Sequence, residues 1–523
     1  MTKIDVEQSH TAGLCPICGS AKHIYLFEIH ASSISYCDGC ELSFSSPITP
    51  SHASAFFIEY DDSIRPDRVL SDGYTEVEAC KNYLRLLAKR SPRIKDILIV
   101  AAEGHYFATA AREQGFNVVR CVSIDKWEGG SDLGEVVDAI VILYQLEQSH
   151  FLENILEQAY RTLKPGGELF IVTLSLDSRS AIFFGQFWTG WRSENRYYFN
   201  NTNIQLALWR YGFQDVWLEN DVRPYTLAHI NQRAAAFPST WLTRLIRAMY
   251  KKIPVSLHNR YFRLPSSGII VMGRKAERHA LPVLSVVLPV YNEGATFSIL
   301  MDQLLELSLP GIQKEIIIVE SNSKDNSREL VLQYKDHPEV KIILQEKALG
   351  KGNAVRAGFE NASGDVVLIQ DADLEYDLND YETLIEPVIS YRKPFVLGAR
   401  HGGKWKMRHF SDQQQLSTYL NFGHVFFVTL LNIIYGQRLK DPFTMFKIFH
   451  RDCLYNLSFE CNRFDFDFEL VIKLIRKGYI PIEIPTNYNS RSFAEGKKVN
   501  MFRDPLTWIR ALIKYRFAKI TKE

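Results

Sequence analysis

Two aspartates separated by one alanine, Asp371-Ala372-Asp373, close the run Gly364-Asp-Val-Val-Leu-Ile-Gln370. The four apolar residues 366–369 read as a buried strand, which would deliver both carboxylates at its tip. Carboxylates so spaced can share one hard cation, Mg2+ or Mn2+, and like charges that close are costly without a counter-ion. A solvated acidic turn is the alternative. The loops upstream argue against it, because each is a polar segment at the end of an apolar run. Ser285-Val-Val-Leu-Pro289-Val-Tyr291-Asn292-Glu293 is the first. The run 315–319 ends in Glu320-Ser321-Asn322-Ser323-Lys324-Asp325, suited to holding a nucleoside. Gly350-Lys351-Gly352 then opens a helical pattern, where free backbone N–H groups and a lysine suit a diphosphate.

A second cluster stands near the start. Cys15-Pro-Ile-Cys18 and Cys37-Asp-Gly-Cys40 are two CxxC pairs with 18 residues between them. Four thiolates brought in pairs by tight turns suit a closed tetrahedral Zn2+ site, structural because it has no open position. A redox pair or four unrelated cysteines is the other reading. Cys80, Cys121, Cys453 and Cys461 are scattered, as small buried residues are.

The elements that must carry these groups fall into an α/β plan. The chain has 523 residues, too many for one core. Net charge is +1 and 46% of residues are hydrophobic, which suits a folded protein and excludes a strongly basic nucleic-acid binder. The opening MTKIDVEQSH has no basic and apolar leader pattern, and eight cysteines with two CxxC pairs fit a reducing compartment, so the expectation is cytoplasmic. No run approaches the roughly 18 apolar residues of a membrane span. The nearest, 420–435, is interrupted by Asn421, His424 and Asn432. Four segments are expected: a zinc module at 11–46, an α/β domain at 75–275 with strands at 97–101, 139–143 and 168–174, a second α/β domain at 283–500, and a basic amphipathic helix in 501–523. From Arg491 onward there are nine Lys/Arg against three Asp/Glu. The helical pattern 505–520 places Trp508, Ile509, Leu512 and Ile513 on one side. Such a helix either lies on an anionic membrane surface or docks on its own domain.

Residues 75–275 resemble the class I S-adenosylmethionine-dependent methyltransferases, in particular the sugar C-methyltransferase-like group that begins with such a cysteine motif. Leu163-Lys164-Pro165-Gly166-Gly167 and Tyr211-Gly212-Phe213 carry the likeness, which implies a Rossmann-like fold. The cofactor loop departs from it. In Ile97-Leu-Ile-Val-Ala-Ala-Glu-Gly-His-Tyr-Phe107 the acidic position holds Ile99 and only Gly104 remains of the glycines that permit close backbone approach. Asp125 is displaced from the ribose position, Leu146-Glu147-Gln148 lacks a histidine, and Arg196-Tyr197 stands for an Arg-His pair. S-adenosylmethionine is therefore not expected to bind, and the domain reads as an inactive scaffold. A bifunctional enzyme that also methylates a sugar is the alternative.

Residues 283–500 resemble the family 2 inverting glycosyltransferases, most closely the polyprenyl-phosphate sugar synthases. The loops above carry the likeness, with Asp441-Pro-Phe-Thr-Met-Phe-Lys447, Phe466-Asp467-Phe468-Glu469-Leu470 and Ile482-Glu483-Ile484-Pro485. The resemblance implies a GT-A fold that transfers a sugar from a nucleotide-diphospho-sugar, through Mg2+ or Mn2+ at Asp371 and Asp373. It implies donor binding by Pro289, Tyr291, Glu293, Glu320, Ser321, Lys351, Asp371, Arg491 and Lys497. Asp467 is the expected base, with Asp465 and Glu469 as rivals. The acceptor is a polyprenyl phosphate or a glycan, in surface-polysaccharide or glycolipid assembly, with peripheral membrane contact and no nucleic acid. A non-catalytic scaffold in a glycan-assembly complex is the reading from another class.

Overall fold

The computed structural model describes residues 14–29, 32–47, 73–102, 105–128, 136–236, 241–400, 414–489 and 503–522. They form two compact units, Met1–Glu277 and Arg278–Glu523.

The first unit holds two sheets. Strands β1 (His23–Ile29), β2 (Ser32–Cys37), β3 (Ser43–Pro47) and β8 (Tyr197–Tyr198) pair antiparallel in that order. The larger sheet contains β4 (Asp96–Val100), β5 (Asn117–Val122), β6 (Val137–Leu143), β7 (Leu163–Leu174), β9 (Phe213–Thr226) and β10 (Tyr261–Lys275). Its order is β5-β4-β6-β7-β10-β9, parallel from β5 to β7 and antiparallel beyond. After Asp96 and Asp138, strands β4 and β6 continue as the apolar runs 97–100 and 139–143 because both faces of a parallel sheet are covered. On one face Tyr83, Leu84 and Leu87 of the helix Gly73–Arg90 and Phe107 and Ala111 of the next helix close the core.

The second unit is built on one seven-stranded mixed sheet. Its strands are β11 (Val283–Val290), β12 (Gln313–Glu320), β13 (Val340–Leu344), β14 (Val366–Ile369), β15 (Phe395–Ala399), β16 (Lys447–His450) and β17 (Ile482–Pro485), in the order β13-β12-β11-β14-β16-β15-β17. Strands β11 to β14 run parallel, β16 runs against β14 and β15, and β17 is parallel to β15. This is the two-domain α/β plan read from the sequence.

The interrupted apolar run near 420–435 forms a 22-residue helix, Gln414–Tyr435, and among the described residues no helix is long and apolar enough to cross a membrane. The terminal helix, Arg503–Phe517, packs on its own unit. Trp508 stacks on Phe468 at 5.5 Å and meets Phe427 edge-on at 5.1 Å, and Leu512 O accepts from Tyr435 Oη. Ile513 differs from the expected inward stripe and is 55% exposed. Ala511, Leu512 and Tyr515 form the buried face, and a helix turns Ile513 about 100° away from Leu512.

Candidate functional site

Because β11, β12 and β14 are parallel, their C-terminal ends open on one edge of the sheet, where open α/β sheets bind ligands. Val290 lies opposite Glu320, and Val287 opposite Ile369. The loops after the three strands therefore converge. Thr296 Oγ1 donates to Ala372 O at 2.6 Å, tying the first loop to the aspartate turn. Each loop holds a non-glycine residue at positive φ: Asn292 (51°), Asn322 (56°) and Leu374 (58°). Asparagine tolerates this region, whereas Leu374 stores strain on the order of 1 kcal/mol, as turns at functional sites commonly do.

The helix Lys351–Asn361 begins at the same edge. Gly350 has φ of 107°, and a Cβ there would lie 2.4 Å from Asn462 O, while one on Gly352 would lie 2.5 Å from Phe466 Cβ. Both glycines are thus required by the chain's own 461–466 loop. Between them Lys351 turns inward, with Nζ at 2.6 Å from Asp371 Oδ1 and 2.8 Å from Oδ2. Burial opposes the lysine charge, but Asp371 and then Asp467 outweigh it and raise its pKa above the ordinary value. The ammonium stays charged. Asp373 is half-buried and its Oδ1 accepts from the Glu375 amide at 3.2 Å.

The three carboxylates of the 465–469 segment have different surroundings. Asp467, in the first turn of the helix Phe466–Arg476, lies 3.1 Å from the Nζ of buried Lys447. Burial lowers the Lys447 pKa, and Asp467 only partly restores it. Asp465 accepts from the Arg463 amide at 3.1 Å. Glu469 is fully buried and spends its oxygens on the amides of Glu460 (3.0 Å) and Cys461 (2.8 Å) and on the Lys473 ammonium. Its lone pairs hold a loop, which leaves Asp467 as the carboxylate coupled to Lys351.

Glu320 is likewise occupied. It accepts from the Asn322 amide at 3.2 Å, from the Ser323 amide at 2.6 Å and from Arg328. Burial would raise its pKa, and these partners pull it below the usual carboxylate range. Ser321 Oγ donates to Gln345 Oε1 at 2.9 Å. Pro289, inside β11, and Tyr291 and Glu293, in the loop after it, are partly exposed. Arg491 and Lys497 lie outside the described residues.

Sequence reasoning missed Arg400, which follows β15. Its guanidinium grips buried Asp441 through both oxygens, at 2.8 and 2.7 Å, and lies over the Tyr488 ring at 5.4 Å. His424 Nε2 of the helix Gln414–Tyr435 stands 3.7 Å from Asp441 Oδ1. Burial pushes the Asp441 pKa up, yet Arg400 holds it well below the ordinary value. The Asp441-Pro-Phe-Thr segment was visible in the sequence. Its partner, an arginine closing an apolar strand, was the available signal.

In the first unit the four cysteines come together. Cys15 and Cys40 sulfurs are 3.5 Å apart, Cys18 and Cys37 3.4 Å, and all four lie within 4.8 Å of one another, buried and free of disulfides. The two turns repeat one geometry. Gly19 N donates to Cys15 O at 2.8 Å and Glu41 N to Cys37 O at 2.9 Å, with φ of 71° and 63°.

Ile99 is buried in β4, Gly104 lies outside the described residues, and exposed Asp125 stands 3.9 Å from His150 Nδ1. Just past β6, Tyr144 has φ of 51° and donates to Asp221 at 2.7 Å. Tyr83 and Ser266 donate to the same carboxylate, and Arg223 bridges both phenols. Glu147 is buried, and burial lifts its carboxyl to about 7. Glu147 accepts from Thr173 at 2.8 Å, while Tyr83, Tyr144, Asp221, Arg223 and Ser266 satisfy one another.

Residues 285–457 match the family model described as Glycosyl transferase family 2, and residues 72–218 match one described as Methyltransferase domain. Dolichyl-phosphate beta-glucosyltransferase ALG5C of Trichomonas vaginalis is 26% identical over 243 residues, covering 44% of this chain and 71% of that one. Dolichyl-phosphate beta-glucosyltransferase of Saccharomyces cerevisiae is 29% identical over 254 residues, covering 45% and 74%. Among solved structures, glucosyl-3-phosphoglycerate synthase from Mycobacterium tuberculosis in complex with Mn2+, uridine-diphosphate-glucose and phosphoglyceric acid is similar at a TM-score of 0.34 and 19% identity. That match covers 46% of this chain and 81% of that one, a likeness too distant to bear on substrate.

Proposed function

We propose that the C-terminal unit, which carries a family 2 glycosyltransferase domain, transfers a sugar from a nucleotide-diphospho-sugar to a lipid phosphate. The observation that carries this reading is the convergence of Asp371, Asp373, Lys351 and the Lys447–Asp467 pair at one sheet edge. Asp371 and Asp373 fit a divalent cation. Asp371 already gathers a cation, the Lys351 ammonium, on both oxygens, and a pair of hard carboxylate donors suits Mg2+ or Mn2+. Bound there, the ion would neutralise charge growing on the departing diphosphate.

The chain's own groups supply the rest. Lys351 can turn from Asp371 to a donor phosphate oxygen at the start of its helix, where the dipole also favours an anion. Glu320 and Arg328 keep the second-strand loop in shape. In the transfer, an acceptor oxygen forms a bond to the anomeric carbon as the bond to the donor phosphate breaks, and the nucleoside diphosphate leaves with the electron pair. A lipid phosphate is already an anion, so no proton need be removed. Asp467, held by Lys447, then orients the acceptor side. With a hydroxyl acceptor it takes the proton.

The activity for which the relatives are named, glucosyl transfer to dolichyl phosphate, favours the lipid phosphate over a glycan as acceptor. The terminal helix leaves Leu506, Ile513 and Phe517 exposed beside Arg510, Lys514 and Arg516, which supports peripheral contact with the cytoplasmic face of a membrane. Nucleotide sugars incubated with Mn2+ and a polyprenyl phosphate should yield a lipid-phosphate sugar, and chelation should stop the reaction. If no nucleotide sugar is either hydrolysed or transferred in metal-containing buffer, the reading falls.

For the first unit we propose a structural zinc at Cys15, Cys18, Cys37 and Cys40 and a scaffold role for the methyltransferase domain. Its match to a methyltransferase model keeps the bifunctional reading as the rival. The mutual saturation of Tyr83, Tyr144, Asp221 and Arg223 favours the scaffold. Titrating S-adenosylmethionine into the full chain should release no heat. Micromolar binding would favour the rival.

A further inference from the structure

Between Asp221 and Glu277 the chain carries ten Lys/Arg and no Asp or Glu, although its overall net charge is only +1. This acid-free stretch includes the helix Trp241–Lys252, the turn after it, and the start of β10. Six of the cations, Arg244, Arg247, Lys251, Lys252, Arg260 and Arg263, are exposed.

The helix has three sectors. Thr243 is buried and Ile246 and Tyr250 are half-buried, facing the unit, where the helix packs against the helix Leu227–Ala236. Arg244, Arg247 and Lys251 form a basic sector. Between the two, Leu245 and Met249, one turn apart, are 44% and 57% exposed. The turn that follows is built. The His258 ring stacks on Tyr250 at 4.1 Å and its Nε2 meets Ile253 O at 3.0 Å, which presents Val255 at 80% exposure. Leu264 adds a further exposed aliphatic side chain at the start of β10.

A single exposed leucine needs no explanation, but a run of exposed aliphatic side chains among cations, with acids wholly absent, has a specific use. We infer that the helix Trp241–Lys252 and its following turn form an anionic-membrane contact surface on the first unit. The cations are drawn to acidic headgroups and the aliphatic side chains enter the acyl boundary. Charge complementarity selects an acidic partner. The aliphatic sector selects lipid over nucleic acid, because a polyanion would use the cations and gain nothing from Leu245, Met249 and Val255. This surface is independent of the terminal helix and of the transferase reading.

The test is co-sedimentation of the full chain with vesicles of phosphatidylcholine, with and without phosphatidylglycerol. Two variants separate the contributions: Leu245→Gln with Met249→Gln removes apolar side chains and keeps charge, and Arg247→Glu with Lys251→Glu reverses charge. All four positions are exposed, so donor hydrolysis and the thermal transition should be unchanged. Each variant should lower partitioning onto acidic vesicles by about tenfold or more, and the native chain should bind neutral vesicles far more weakly. If neither variant changes vesicle binding, the surface is elsewhere and the inference is overturned. It is also overturned if polyuridylate is bound as tightly as acidic vesicles and the glutamine variant does not weaken it. Loss of donor hydrolysis in the native chain would sink the transferase reading and leave this result standing.

Discussion

Replacing Asp373 with alanine should lower sugar transfer and donor hydrolysis by about a thousandfold or more, with the thermal transition of the C-terminal unit unmoved. The size follows from what is lost: one of two carboxylates proposed to hold the ion that stabilises the leaving diphosphate, and electrostatic stabilisation of that kind is commonly the largest single contribution to catalysis. The unchanged fold follows from position. Asp373 is half-buried at the tip of β14, and the Glu375 amide that it accepts lies in the same turn. Asp371→Ala is the less clean experiment, because it also strips Lys351 of both of its short carboxylate contacts. Steady-state assays with and without Mn2+, alongside thermal melts, separate the two effects. Undiminished turnover in Asp373→Ala would refute the metal assignment.

Replacing Cys37 with serine should release the zinc and loosen the two cysteine turns of the N-terminal module. Among the contacts of the described residues the two turns meet only through their sulfurs, while the rest of the module is also held by β3 pairing with β8 and by Arg210 and Tyr211, which donate to Ile17 O and Pro16 O at 2.7 and 3.0 Å. The module's apolar burial is Ile17, Ile29, Ile34 and Leu42, with Ile29 and Ile34 packed against Ala181, Trp188 and Tyr198. Binding free energies of structural zinc sites are on the order of 10 kcal/mol, so losing one ligand removes a large part of what fixes the two turns. Elemental analysis should find about one zinc per native chain and far less in the variant, and limited proteolysis should cut the variant within 14–47 first. A native chain that carries no metal, or a variant as protease-resistant as the native chain, would contradict the assignment. The C-terminal unit has its own core, so donor hydrolysis should survive the substitution.

The parts of the molecule legible in the sequence are those in which a local pattern has one physical meaning. Residues 366–369 are apolar without alternation because β14 lies between β11 and β16 with both faces covered. That run, with polar residues right after it, was enough to place Asp371 and Asp373 at a sheet edge. The cysteine spacing is similarly self-contained, since each turn is made by four consecutive residues.

What stayed hidden is set by contacts distant in sequence. Asp467 and Glu469 are two positions apart on one helix start, and no local signal separates them. Packing against residues 460–461 and Lys473 fixes Glu469, and Lys447 of β16 meets Asp467. Arg400 and Asp441 are joined across 41 positions. The family resemblance implies a donor-binding Glu320, yet its oxygens are filled by Asn322, Ser323 and Arg328. The glycines flanking Lys351 suggested a phosphate loop, and the steric demand on both comes from Asn462 and Phe466. Ile513 fell off the expected stripe because the helix face is set by its neighbours, Phe427 and Phe468, rather than by its own composition.

Binding of Mn2+ in the presence of nucleoside diphosphates, followed by electron paramagnetic resonance on the native chain and on Asp373→Ala, tests the central claim most directly. The account predicts that one or more of the nucleotides makes the native chain take up a Mn2+ ion that the variant does not hold. Equal uptake by both proteins, or none by the native chain with any nucleoside diphosphate, would contradict it.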